Sequence, residues 1–196
     1  KQKEYGHPIY LIADEPYREL VYGDIQVPYL MNYYDNTLVC YSYSKSLSLP
    51  GERIGYIAVN PKMQDSKKVY LAVCGAGRSL GYVCAPSLFQ KVVARCIDAK
   101  VNIDAYKANR DLLYDNLTAY GYDCVKPDGA FYLFVKSPLK DATAFYEKAK
   151  EHEILVVPCD DFGVPGYVRI AYCVDKNRIK NSLPAFKLLA KDCGLI

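Results

Sequence analysis

Two hydrophobic rhythms run along this chain, and the balance between them shifts near residue 100. Residues 9–13 are a short apolar run of the kind expected for a strand buried on both faces. Residues 37–42 predict a second strand, and residues 53–59 a third that Asn60-Pro61 brings to a stop. A helical stretch over residues 62–74 is expected to end before Gly75, Gly77 and Gly81. Pro86 opens another helix at its first turn, with Leu88, Val92 and Val93 on one face. Further on, Tyr106, Leu113 and Leu117 mark one face of a helix over residues 101–119, with Gly121 just beyond its end. Strands over 124–125 and 130–135 follow, joined across the turn sequence Pro127-Asp128-Gly129. A helix over 141–152, strands over 154–157 and 167–174, and a last helix over 176–192 before Gly194 complete the pattern.

Alternating strands and helices in the first half predict an α/β unit over residues 1–100, and the mixture in the second half a small α+β lobe over residues 101–196. Nothing repeats, and no segment is of low complexity. Residues 1–6 read as the tail of a polar helix, and no Met opens the chain. The expectation is therefore a piece of a longer protein.

Composition narrows the function classes. With 51% hydrophobic and 24% charged residues, the chain has the make-up of a soluble globular enzyme rather than a disordered tail. The net charge of +3 is spread along the sequence, which argues against a nucleic-acid surface and for a small polar ligand. Eight cysteines lie far apart without a CxxC pair, and His7 and His152 are the only histidines. That favours core thiols in a reducing cytoplasm over metal or disulfide chemistry. No apolar run has the length of a membrane span, and no signal peptide opens the sequence.

The segment from Ser42 to Tyr56, SYSKSLSLPGERIGY, carries the most chemistry. Serine hydroxyls and Arg53 around Lys45 suit a phosphate-bearing ligand, because an arginine adds a bidentate, charge-assisted grip. A nearby guanidinium also depresses an amine's pKa and so favours a nucleophilic lysine. On its own, a lone lysine in such a segment reads first as part of a solvated Lys-Ser loop. Asp14 ends the strand over residues 9–13, and Tyr17 stands three residues on. Ligands gather beyond the carboxyl ends of strands in open α/β sheets, so Asp14 and Lys45 can converge there. An acid at that point could hold a pyridine nitrogen protonated. Taken alone, Asp14 is equally a loop-capping acid and Tyr17 a packed aromatic.

Asp14-Glu15-Pro16-Tyr17, then Ser42-x-Ser44-Lys45, then Pro50-Gly51-x-Arg53-x-Gly55-Tyr56 closely resemble the class I and II aminotransferases of the type I pyridoxal-phosphate (PLP) fold. The likeness extends through Gly81–Pro86, Lys126–Tyr132 and Tyr167–Ala171 and so covers essentially the whole chain. It implies the C-terminal half of a large domain, with part of a mostly parallel sheet, followed by a small α+β C-terminal domain. It implies Lys45 as the covalent anchor of pyridoxal 5'-phosphate and as the acid–base catalyst. Asp14 becomes the partner of the pyridine nitrogen, Tyr17 of the phenolic oxygen, and Ser42, Ser44 and Arg53 of the phosphate. Arg169 becomes the grip on the substrate α-carboxylate, against the alternative of an internal ion pair. For Gly129 and Tyr132, turn geometry and packing are sufficient explanations.

The implied reaction is transamination between an amino acid and a 2-keto acid by a cytoplasmic homodimer. The resemblance also implies that the rest of the pocket lies upstream, so that this piece alone holds the cofactor poorly and does not turn over. Two other uses of the scaffold stay open. One is a carbon–sulfur lyase or decarboxylase with the same Lys45, Asp14 and Arg53; the other is a ligand-sensing domain of a transcription regulator.

Overall fold

A computed structural model describes all of residues 1–196. Contacts cluster into two compact units, Lys1–Val101 and Asn102–Ile196. No helix is long and apolar enough to cross a membrane.

The first unit runs α1 (Gln2–Tyr5), β1 (Leu11–Asp14), β2 (Thr37–Ser42), α2 (Tyr43–Ser46), β3 (Gly55–Val59), α3 (Ser66–Ser79) and α4 (Ser87–Arg95). Its three strands lie in the order β1-β2-β3. β1 and β2 are parallel, from Leu11 opposite Thr37 to Asp14 opposite Cys40. β2 and β3 are antiparallel, ending with Ser42 opposite Gly55. Thr37, Leu38 and Val39 of the central strand are buried, as a strand paired on both sides should be.

Two expectations need correction here. β1 is not buried on both faces: Ala13 is buried, but Ile12, on the opposite face, is 66% exposed, because nothing in this chain covers that face. The helix expected to end before Gly75 instead runs through Gly75 and Gly77. Its stop is Gly81, at φ +87°, where the Tyr82 N–H donates to Gly77 O and the Gly81 N–H to Arg78 O. Those two bonds satisfy carbonyls that the helix end leaves open, and they require a left-handed residue, which glycine adopts without strain. Internal glycines weaken a helix but do not break it.

The second unit runs α5 (Ile103–Ala119), β4 (Cys124–Val125), β5 (Tyr132–Lys136), α6 (Ala142–Glu151), β6 (Val157–Pro158), β7 (Tyr167–Ala171) and α7 (Lys176–Asp192). The strands form an antiparallel sheet in the order β4-β5-β7-β6. Side-chain alternation divides its two faces: Leu133, Val135, Val168 and Ile170 are buried, whereas Tyr132, Phe134, Tyr167 and Arg169 share the partly open face. α5 packs along α7, with Leu113, Leu117 and Leu189 buried. Asn102, Asp141 and Asp175 cap α5, α6 and α7 through their side-chain oxygens.

The strand expected over 154–157 shrinks to Val157–Pro158, although Ile154 and Val156 still point inward around exposed Leu155. The strand expected over 167–174 stops at Ala171. Beyond it, buried Asn109 donates to Tyr172 O at 3.0 Å and to Val174 O at 2.8 Å, taking carbonyls that a longer ladder would have used. The cysteines also depart from expectation. All eight are free, but only Cys159 is buried, while Cys74, Cys84 and Cys173 are exposed.

Candidate active site

Parallel β1 and β2 end at one edge of the first sheet, which gathers the chemically informative residues. Asp14 closes β1, aligned with Cys40, and the Glu15 N–H extends the ladder by donating to Cys40 O at 2.9 Å. Burial raises the pKa of the Cys40 thiol, and the charge of Asp14 raises it further, so this thiol is held neutral beside the acid. Ser42 closes β2 and caps the single turn of α2. Its hydroxyl accepts the Ser44 N–H at 3.2 Å and donates to Ser44 Oγ at 2.8 Å. That turn carries Lys45, whose Nζ lies over the Tyr17 ring, 5.6 Å from its centroid.

The loop bearing Tyr17 is tied down locally. Its carbonyl accepts the N–H of Leu20, which is fully buried. Arg18 pairs with Glu15 at 2.6 Å, where the Glu15 side chain is only 9% exposed. The same guanidinium donates to Val27 O at 2.7 Å and Pro28 O at 3.2 Å and lies over the Tyr29 ring. An i,i+3 Glu–Arg spacing was a readable signal for this pair.

Arg53 occupies the left-handed region at φ +51°, uncommon for a residue with a side chain, and its Nη1 donates to Pro50 O at 2.8 Å. Ser42, Ser44, Arg53, Ile54 and Gly55 enclose a cavity of about 150 Å³. Gly55, one of its lining residues, faces Ser42 across the β2–β3 pair with no space for a side chain. Two hydroxyls and a guanidinium around one small cavity are a donor set for an oxyanion. Backbone strain of this kind concentrates at functional sites.

An aromatic group behind α2 was not anticipated. Tyr41 stacks on Tyr56 at 5.1 Å and meets Tyr43 edge-on at 5.2 Å, and its hydroxyl donates to Ser46 Oγ at 2.8 Å. Burial pushes Tyr41 up to about 12; the Ser46 bond opposes the rise and Glu19 adds to it. Tyr41 therefore stays a protonated donor and holds buried Ser46, the residue after Lys45. The register Tyr41 opposite Tyr56 carries the signal, an aromatic cross-strand pair flanking the Lys45 turn. Tyr41 and Tyr56 also border a larger cleft of about 870 Å³, lined among others by Cys40, Arg53, Tyr70 and Tyr82.

The sequence-predicted residues therefore separate into groups. Ser42, Ser44 and Arg53 meet around one cavity, Lys45 lies over Tyr17, and Asp14 adjoins Cys40 on the neighbouring strand. Arg169 belongs to the second unit, on β7 opposite Phe134 of β5 and Val157 of β6. It makes no internal ion pair; its Cζ lies 4.3 Å from the Tyr132 ring centroid and 4.8 Å from that of Phe162.

Known proteins share this fold. A crystal structure of an amino transferase from Eubacterium rectale is similar with a TM-score of 0.93 and 63% identity, over 97% of this chain and 48% of that one. The aspartate aminotransferase of Thermotoga maritima gives a TM-score of 0.81 at 26% identity over 97% of this chain. Among curated sequences, the probable N-acetyl-LL-diaminopimelate aminotransferase of Bacillus subtilis is 31% identical over 93% of this chain and 47% of its own. The aspartate/prephenate aminotransferase of Thermus thermophilus is 29% identical over 92% of this chain and 48% of its own. The chain spans about half the length of the curated relatives it matches. The family model described as aminotransferase class I and II matches residues 3–186, nearly the whole chain, and includes every residue of the site just described: this chain belongs to the class I and II aminotransferases.

Proposed function

We propose that this chain is the part of a pyridoxal-phosphate-dependent aminotransferase that anchors the cofactor through Lys45 and grips the substrate carboxylate through Arg169. The observation that carries the reading is the cavity of about 150 Å³ enclosed by Ser42, Ser44 and Arg53, one residue from Lys45. Its volume is roughly that of five waters at about 30 Å³ each, enough for one phosphate group, and its donors match phosphate oxygens. The residues present therefore fit the cofactor. Lys45 would hold it covalently, Ser42, Ser44 and Arg53 would hold its phosphate, Asp14 its ring nitrogen and Tyr17 its phenolic oxygen.

When bound, PLP supplies an electron sink for the bond broken at the substrate α-carbon. The chain's own residues do the rest. Asp14 would hold a proton at the ring nitrogen. Arg169 fixes the substrate carboxylate in its plane and so orients the α-carbon–hydrogen bond. Lys45 would carry the proton from the α-carbon of the amino acid to the C4′ carbon of the cofactor and, in the reverse half, carry one from there to the α-carbon of the keto acid. Tyr41 holds Ser46 and with it the end of the turn carrying Lys45.

In the full-length protein, added PLP is expected to give a stable visible absorbance band that Lys45→Ala abolishes; a band that survives the substitution overturns the anchor. Product analysis tests the reaction class, because only transamination converts an added 2-keto acid to its amino acid. The 196-residue chain alone is expected to hold PLP weakly and not to turn over. A stable band in that chain, lost in Lys45→Ala, would overturn this part.

A further inference from the structure

The guanidinium of Arg169 is held by two aromatic rings rather than by an acid. Tyr132 and Arg169 share one face of the second sheet, on a diagonal: Tyr132 stands opposite Ala171, and Arg169 opposite Phe134. Phe162 arrives from elsewhere in the chain, on the short turn Asp160–Phe162. Backbone bonds pin that turn. The Phe162 and Val164 N–H groups both donate to Cys159 O, at 3.0 and 3.1 Å, and the Cys159 N–H donates to Tyr167 O at 2.9 Å. Gly163, at φ +78°, reverses the chain just after Phe162. Phe162 is 59% exposed, so packing within this chain's core does not explain its place. Its ring nevertheless lies 4.8 Å from Arg169 Cζ.

We propose that Phe162 is a positioning residue for substrate binding, which together with Tyr132 clamps the Arg169 guanidinium so that its N–H edge is presented to a carboxylate. The clamp rests on the reading of Arg169 as the carboxylate grip. Its physical basis has two parts. Rings over a guanidinium attract it through their quadrupoles and restrict its rotation, which lowers the ordering cost when a ligand binds. They also leave the in-plane donors open, whereas an acidic neighbour would occupy them and compete with the ligand.

The test uses the full-length holoenzyme with L-aspartate and L-phenylalanine as donors, and compares Phe162→Leu, Phe162→Tyr, Tyr132→Leu and Arg169→Lys. Phe162→Leu is expected to raise KM for the donor on the order of tenfold with kcat held within about twofold, since a clamp acts on binding in ground and transition states alike. Phe162→Tyr should restore KM, and Tyr132→Leu should repeat the effect of Phe162→Leu. If Arg169→Lys raises KM while Phe162→Leu and Tyr132→Leu leave it unchanged, the clamp is overturned and the carboxylate grip stands. A Phe162→Leu variant that loses kcat and melting temperature together, with KM unmoved, also overturns it. If Arg169→Lys itself leaves KM unchanged, the underlying reading of Arg169 fails first.

Discussion

A Cβ placed on Gly55 would lie 2.2 Å from the carbonyl oxygen of Tyr41 and 3.1 Å from Ser42 Cα. Both contacts are backbone, so no side chain can rotate away, and β3 would have to move off β2. Gly55→Ala is expected to destabilise the first unit by about 3 kcal/mol and to widen the cavity at Ser42, Ser44 and Arg53. Urea unfolding checks the first expectation; a midpoint equal to that of the parent chain would contradict it.

Asp14→Asn tests the electrostatic half of the proposed mechanism. Asparagine is close in size but cannot hold a proton at a ring nitrogen by charge. In the full-length enzyme kcat is expected to fall by on the order of a hundredfold or more, while the visible band that depends on Lys45 persists. Near-normal turnover in Asp14→Asn would remove Asp14 from the site.

The two outcomes of reading the chain unaided have different physical origins. β2 and α7 were legible, because a short apolar run of pleat-favouring residues and a capped amphipathic helix each carry a clear local signal. The Ser42–Arg53 cavity was legible as a residue set, since hydroxyls, a lysine and an arginine within twelve positions have few uses in common. The exposure of Ile12 was not legible: an apolar strand reads the same whether or not its second face is covered. Nor was the clamp on Arg169, because Phe162 and Tyr132 lie thirty positions apart and meet only through sheet register and a reversed loop. The stop of α3 at Gly81 rather than Gly75 was misread for a related reason, as glycine signals a helix end only where the chain also turns left-handed.

Cysteine reactivity should follow the structure and not the sequence context. Burial, with the charge of Asp123 second, pushes Cys124 up to about 12, and burial is also the main cause that raises Cys159. Cys74, Cys84 and Cys173 are exposed. Because the thiolate is the reactive form, iodoacetamide at pH 8 should alkylate the three exposed thiols on the order of a hundredfold faster than Cys124 and Cys159. Mass spectrometry of timed samples reads the order directly, and early modification of Cys124 would contradict it.

Asp111 anchors the hairpin that leads into Tyr132, and its titration gives the second unit a pH signature. Burial raises its pKa, but hydrogen bonds from Lys107, Arg110 and Lys126 outweigh this and bring the carboxyl down to about 2 from an ordinary 3.8. Arg110, buried beside it, spends Nη1 on Pro127 O at 2.9 Å and turns Nε and Nη2 to Asp111, so the acid and the turn share one guanidinium. A depressed carboxylate stabilises the fold above its unfolded pKa and loses that contribution as pH falls through the folded value, here between about pH 4 and pH 2. With the side chain 27% exposed and open to solvent screening, Asp111→Asn is expected to cost about 1 kcal/mol at pH 7. The difference should shrink through the window and be small near pH 2, where the parent acid is itself about half protonated. Urea midpoints of the two proteins at pH 7, 4 and 2 check the sign; a difference that grew toward low pH would show that the three cations do not hold Asp111 in its charged form.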